Sequence, residues 1–259
     1  MLAIVSPAKK LDFEKAPQID GTTQPALLKR ADDLADILKD KSMQDIQSLM
    51  SLSDKLAQLN YDRYQAFTTP FTNDNAKAAL YVFKGDTYVG LDAESLNADD
   101  VDYAQDHLFM LSGLYGALKP KDLMQPYRLE MGTKLANSEG EDLYDFWGND
   151  VADLCNQATQ GHKDRSVINL ASNEYNKVVK PKALEGHFIT CHFKEMKGGA
   201  PKVIGLFAKR ARGSMARYII QNRIETPEGL KGFNSDGYEY IEDASDEKNY
   251  VFIRDQEGL

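Results

Sequence analysis

Two short apolar runs constrain this chain most. Leu2 to Val5 is uninterruptedly apolar and turns polar at once into Ser6-Pro7-Ala8-Lys9-Lys10. Val167-Ile168-Asn169-Leu170-Ala171-Ser172 is a second such run, and its end turns polar as the first does. Apolar runs of this length, bounded by polar loops, read as buried strands. In sheets with helices on their faces, ligand contacts gather at the ends of such strands. Lys9, Asn169 and Ser172 are therefore candidate cleft residues, with an ordinary solvated lysine as the alternative at Lys9. A third run, Lys202 to Phe207, is expected as a strand leading into a helix over Ala208 to Ile220.

Helical patterns lie between these strands. Thr22 or Thr23 can cap a helix running to about Asp40, whose Leu27, Ala31, Leu34 and Leu38 form one apolar stripe. Further helices are expected near Met43 to Met50, Ser53 to Phe67, from about Asn97, and over Leu143 to Ala158, the last carrying Trp147. Tyr81 to Asp86 reads as a strand with a turn at Gly85-Asp86, where Lys84 and Asp86 could hold a polar ligand or simply mark the turn. Tyr238 to Ile241 and Tyr250 to Arg254 read as a final hairpin. With 259 residues, no internal repeat, no linker rich in Pro, Gly or Ser, and helices and strands interleaved throughout, the expectation is one α+β domain over residues 1–259 with a mixed sheet.

The stretch Asp106 to Gly132, DHLFMLSGLYGALKPKDLMQPYRLEMG, is the centre of the chain. It begins with a helical pattern, breaks at Gly113 and Gly116, turns at Pro120 and Pro126, and ends extended. Arg128 and Glu130 lie two apart in that extended segment and so share a face, with Tyr127 and Leu129 on the other. The stretch reads either as a binding surface or as a corner packed into the core.

Charge narrows the choice of partners. A formal net charge of −9 argues against a surface that coats nucleic acid throughout. Yet Met196 to Ile224 contains no Asp or Glu and carries Lys209, Arg210, Arg212 and Arg217 among its basic residues, a pattern that fits a local anion site, with a solvated helix face as the plain alternative. No apolar run is long enough to span a bilayer, and MLAIVSPAKK lacks the basic region of a signal peptide, so a cytoplasmic chain without membrane partners is expected. His187, Cys191 and His192 suggest a metal site only weakly: the first two share a strand face, the third opposes them, and no fourth ligand stands at a suitable spacing. No metal and no cofactor are expected. There is no GxxxxGK[ST], GxGxxG after a strand, HExxH or GxSxG.

SPAKKLDF at Ser6, FKGDTYVGL at Phe83, LSGLYGALKPKDLMQPYRLEMG at Leu111, DFWG at Asp145, INLASNEY at Ile168, AKRARGSMARYII at Ala208 and GFNSDGY at Gly232 together resemble the bacterial YaaA family of peroxide-stress proteins. The resemblance spans nearly the whole chain in order. It implies a cytoplasmic protein of the hydrogen peroxide response that limits free iron, with a positively charged cleft, a helix-hairpin-helix-like element and sequence-independent binding of duplex or distorted DNA. Carried onto this sequence, the hairpin is Leu111 to Gly116, with Gly113 and Gly116 as its glycines. Lys119, Lys121, Lys209, Arg210, Arg212 and Arg217 are the implied phosphate contacts. A different class of function stays open: an enzyme acting on a nucleotide or nucleic acid, with Arg128 and Glu130 as candidate catalytic residues and Lys9, Lys84, Asp86, Asn169 and Ser172 around them.

Overall fold

The computed structural model describes residues 1–255. Its principal sheet has eight strands: β1 (Leu2–Val5), β2 (Leu108–Ser112), β3 (Gly116–Leu118), β4 (Val167–Leu170), β5 (Phe188–Lys197), β6 (Ala200–Lys202), β7 (Glu239–Tyr240) and β8 (Asn249–Asp255). The helices used below are α1 (Leu28–Lys39), α2 (Met43–Met50), α3 (Asp54–Ala66), α4 (Asp86–Leu91), α5 (Ala98–His107), α6 (Leu143–Trp147), α7 (Asp150–Ala158) and α8 (Gly205–Gln221). The strand order is β7-β8-β5-β4-β1-β2-β3, with β6 folded back on β5.

The sheet is mixed, as expected, and its centre is parallel. β1 runs parallel to β2 and to β4, β4 to β5, and β5 to β8. Antiparallel pairing is confined to β3, β6 and β7. Every residue of β1, β2 and β4 is buried, the condition under which a strand reads as a continuous apolar run. β5 alternates half-buried and buried residues, so one of its faces is only partly covered. The chain passes from β1 to β2 on one side and later returns to β4 on the other. β1 is thus the point at which strand order reverses, and crevices form at the carboxyl ends of parallel strands there.

Local chemistry explains most helices. The stripe of α1 is buried at Ala31, Leu34 and Leu38, joined by Ala35. α2 and α5 each start with a capping box, Ser42 with Asp45 and Asn97 with Asp100. The expected helix over 143–158 is two helices, because Gly148 adopts φ +47 between α6 and α7. Thr23 caps nothing; its hydroxyl donates to Asp122 Oδ1 at 2.6 Å, and α1 begins five residues later.

Two further expectations are corrected. Leu108 to Ser112 is the strand β2 rather than the end of a helix, because a fully buried apolar run next to β1 satisfies its backbone in the sheet. Lys202 to Phe207 is not a buried strand. β6 ends at Lys202, α8 begins at Gly205, and Val203 and Leu206 stay exposed.

α8 lies across β1, β4 and β5 and packs most closely on α4. That contact depends on two glycines. A Cβ at Gly213 would lie 1.8 Å from the Thr87 carbonyl oxygen, and one at Gly90 2.1 Å from that of Arg210. The two backbones touch where side chains are absent, which fixes the basic start of α8 against the loop before α4.

Candidate functional site

A cleft of about 350 Å³ opens at the carboxyl ends of β1 and β4. Ser6 to Lys9, which follow β1, form one wall. Lys84 to Tyr88, Tyr127 to Glu130, Ser172 with Glu174 and Tyr175, and Lys209 with Arg212 of α8 form the others. The two strand ends are tied together: the backbone N–H of Ser172 donates to Ser6 Oγ at 2.8 Å, and Tyr88 Oη donates to the Ser6 carbonyl at 3.0 Å.

Arg128 and Glu130 reach the cleft; Tyr127 and Leu129, expected on the opposite face, also line it, and the period of two shows only in their burial. Tyr127 and Leu129 are buried, Arg128 and Glu130 half-buried. Gly113 makes room for them, since a Cβ there would sit 2.3 Å from the Leu129 carbonyl oxygen. Tyr64 Oη donates to the Arg128 carbonyl at 2.5 Å and holds the segment from α3. Glu130 sits between two cations, with Oε2 2.7 Å from Lys9 Nζ and Oε1 3.5 Å from Arg128. Nε of Arg128 and Nε of Arg212 are both shut off from solvent with no hydrogen-bond partner among the described residues. Burial lowers the Arg212 pKa, and the nearby Cys191 acts in the opposite direction. Such atoms are costly unless something polar meets them.

Of the residues singled out in the sequence, Lys9, Lys84, Asp86, Arg128, Glu130, Ser172, Lys209 and Arg212 line this one cleft. Five cations and three carboxylates, the third being Glu174, face it. The basic face of α8 is divided. Lys209 and Arg212 reach the cleft, Arg210 lies 3.8 Å from Asp86, and Arg217 donates to the carbonyls of Leu91 and Asp92 at 3.1 and 2.8 Å, closing the end of α4.

Other candidates lie elsewhere. Asn169 is fully buried beneath the cleft; its Oδ1 accepts from the Ala171 N–H at 2.9 Å and its Nδ2 donates to Thr190 Oγ1 at 3.2 Å, shaping the turn after β4. Leu111 to Gly116 is not a helical hairpin. It joins the antiparallel strands β2 and β3 and is wholly buried. The Gly113 carbonyl accepts from Trp147 Nε1 at 3.1 Å, and Gly116, at φ +69, leaves no more than 3.1 Å between a Cβ and Trp147 or Leu27. These glycines serve packing, because the sheet encloses the backbone that a phosphate would need to reach. Lys119 and Lys121 flank Pro120 away from the cleft, with Lys121 paired to Asp102. At β5, Cys191 is buried with its thiol pushed up to about 12 by desolvation, while His192 meets Asn249 Oδ1 at 3.0 Å on the opposite face.

Sequence reasoning missed the tyrosines. Tyr88, Tyr127 and Tyr175 line the cleft, and burial raises the pKa of each well above the usual phenol range. They remain neutral hydrogen-bonding groups at any ordinary pH. In the sequence they look like any packing aromatic, and Tyr127 was expected on the face away from Arg128 and Glu130.

Residues 1–244 match the family model described as peroxide stress protein YaaA. A UPF0246 protein of Alteromonas mediterranea is 55% identical over 258 residues, covering 100% of both chains. Another, from Saccharophagus degradans, is 52% identical over 256 residues, covering 99% of this chain and 100% of its own. Identity at that level over whole lengths, with a family match that includes every wall of the cleft, makes this chain a member of the YaaA family of peroxide stress proteins.

Proposed function

We propose that this chain serves the peroxide response by holding a phosphorylated ligand of the nucleotide class in the cleft at the ends of β1 and β4. One observation carries the reading. Lys9, Arg128 and the pair Lys209 and Arg212, from three distant parts of the chain, line a single recess in which two guanidinium Nε atoms have no partner among the described residues. Arginine forks and lysine ammonium groups converging in a recess suit phosphate oxygens. The tyrosine rings close the recess without adding charge, with the Tyr88 hydroxyl donating to the Ser6 carbonyl and Tyr127 Oη paired with Ser112 Oγ. Glu130, held between Lys9 and Arg128, is the group placed to accept a proton if the bound ligand reacts.

The test is calorimetric titration of the full chain with pyrophosphate. Binding is expected, and the double variant Lys209→Ala/Arg212→Met should weaken it at least tenfold while melting near wild type. The same variant should fail to rescue a strain lacking this protein from peroxide. Undiminished binding in the double variant would remove the cleft from consideration.

DNA binding is the second reading. The acid-free run over 196–224 and the exposed Lys209 and Arg210 favour it. It predicts sequence-independent affinity that falls steeply with salt. Charge reversal at Arg210, Lys119 and Lys121, which lie outside the cleft, should weaken it in gel-shift titrations without touching pyrophosphate binding. For the limit on free iron that the resemblance implies, we read an effect of the cleft ligand rather than direct ligation at β5, a reading supported by Cys191 and His192 facing opposite ways on their strand.

A further inference from the structure

A second cavity, of about 520 Å³, adjoins the cleft. The two share Lys84, Gly85, Asp86 and Tyr88, so they meet at the turn before α4. Their linings differ in kind. The first gathers arginines and lysines, whereas the second is walled by Leu80, Tyr81 and Phe83 and rimmed by the carboxylates of Asp12, Asp92 and Glu94. Either volume falls within the roughly 300–1,000 Å³ usual for small-ligand sites.

We propose that the second cavity is a nucleoside subsite: the phosphates of a nucleotide lie in the first cleft, and its base and sugar lie against Tyr81. This rests on the reading of the first cleft as a phosphate site. Three features support it. Tyr81 is half-buried, and its ring and hydroxyl have no hydrogen bond or ring contact among the described residues, although the cavity's other rings, Phe83 and Tyr88, are stacked on each other. A cavity-wall ring that packs on the core but is covered by no other ring suits stacking by a base. The cavity's carboxylates, Asp12, Asp86, Asp92 and Glu94, outnumber its cations, Lys10 and Lys84; they accept hydrogen bonds, as ring N–H and exocyclic amino groups of bases require, and disfavour phosphate there, which orients the ligand. Lys84 stands at the junction, its ammonium 2.8 Å from Glu94 on the second side while its side chain also lines the first. It is placed to meet the phosphate nearest the sugar. Gly85 lets the ligand cross: its φ of +149 is a backbone conformation that side-chain-bearing residues rarely adopt, and it puts no side chain at the junction.

The experiment compares pyrophosphate with ADP, GDP, CDP and UDP by calorimetry on the full chain, in wild type and in Tyr81→Leu and Tyr81→Ala. At least one diphosphate should bind ten times more tightly than pyrophosphate. Both variants should erase most of that gain and leave pyrophosphate affinity unchanged. Tyr81→Leu keeps apolar bulk at the site, so agreement between the two separates loss of stacking from loss of folding. If pyrophosphate binds but no nucleoside diphosphate binds more tightly, or if both Tyr81 variants keep the gain, the nucleoside subsite is wrong while the phosphate cleft stands. If neither pyrophosphate nor any diphosphate binds, both readings fall.

Discussion

Individual side chains in the cleft are arranged for something other than stability. Arg212 is half-buried, and among the described residues it has no carboxylate partner and its Nε no hydrogen bond. A cation partly withdrawn from water without a partner destabilises the fold that holds it. Arg212→Met should therefore melt at or a few degrees above wild type, read by thermal denaturation, while pyrophosphate affinity drops at least tenfold. Glu130 makes the complementary case. It occupies Lys9 and Arg128 with its own carboxylate and is about 30% exposed, so the pairs contribute only about 0–1 kcal/mol. Glu130→Gln should leave melting unchanged and tighten pyrophosphate severalfold, because both cations are released to the ligand. Weaker binding would instead mean that Glu130 positions Arg128. Away from the cleft, Asp122 is 2% exposed, and burial raises its pKa to about 6 against the opposing hydrogen bonds from Thr23 and the Lys119 N–H. Its folded pKa exceeds its unfolded value of 3.8, so between about pH 4 and 6 the folded state holds the extra proton. Stability from this group is therefore greatest below about pH 4 and is lost as pH rises to about 6, by about 3 kcal/mol. Asp122→Asn, whose amide can accept from the Lys119 N–H and donate to Thr23 Oγ1, should flatten that dependence in urea titrations run across the window.

At the scale of elements, the contact between α4 and α8 decides whether there is a cleft. Gly213→Ala would drive a methyl group to 1.8 Å from the Thr87 carbonyl oxygen, and backbone cannot yield as a side chain can. The helices must separate, at a cost of about 3 kcal/mol or more. A clear fall in the urea midpoint is expected, with pyrophosphate binding weakened even in the folded fraction, because Lys209 and Arg212 move with α8. Many elements were legible in the sequence. β1, β4, α2 and the buried stripe of α1 follow from local pattern and capping chemistry, and the alternation of Tyr127 to Glu130 follows from the strand period. Leu108 to Ser112 was not legible, since a short apolar run buried on all sides has the same composition in a helix as in a strand. Neither was the start of α8. Val203 and Leu206 are apolar yet exposed, so hydrophobic pattern pointed the wrong way there.

Across the whole molecule, the cleft draws on the loop after β1, the segment after the β2–β3 hairpin, the turn after β4 and the first turns of α8. A ligand there joins parts spanning most of the described chain and should stabilise all of it. At about 100 times its dissociation constant a ligand adds about 2.7 kcal/mol, or roughly 5–10 °C in melting temperature for a domain of this size. A thermal scan with and without pyrophosphate measures this, and the shift should vanish in Lys209→Ala/Arg212→Met. No described helix is long and apolar enough to cross a membrane. The sequence by itself determined the buried strands β1 and β4, the capped helices, the acid-free basic run and the shared face of Arg128 and Glu130, because each arises from residues within a few positions of one another. The resemblance carried by its longer blocks likewise named the family that the comparisons then showed. Only the tertiary structure decided that Lys9, Lys84, Arg128, Ser172 and Lys209 meet while Lys119, Lys121 and Arg217 stand apart, and that Gly113 and Gly116 are packing contacts. Those outcomes depend on strand order around β1 and on the glycine contact between α4 and α8, and long-range packing of that kind leaves no periodic trace in the chain.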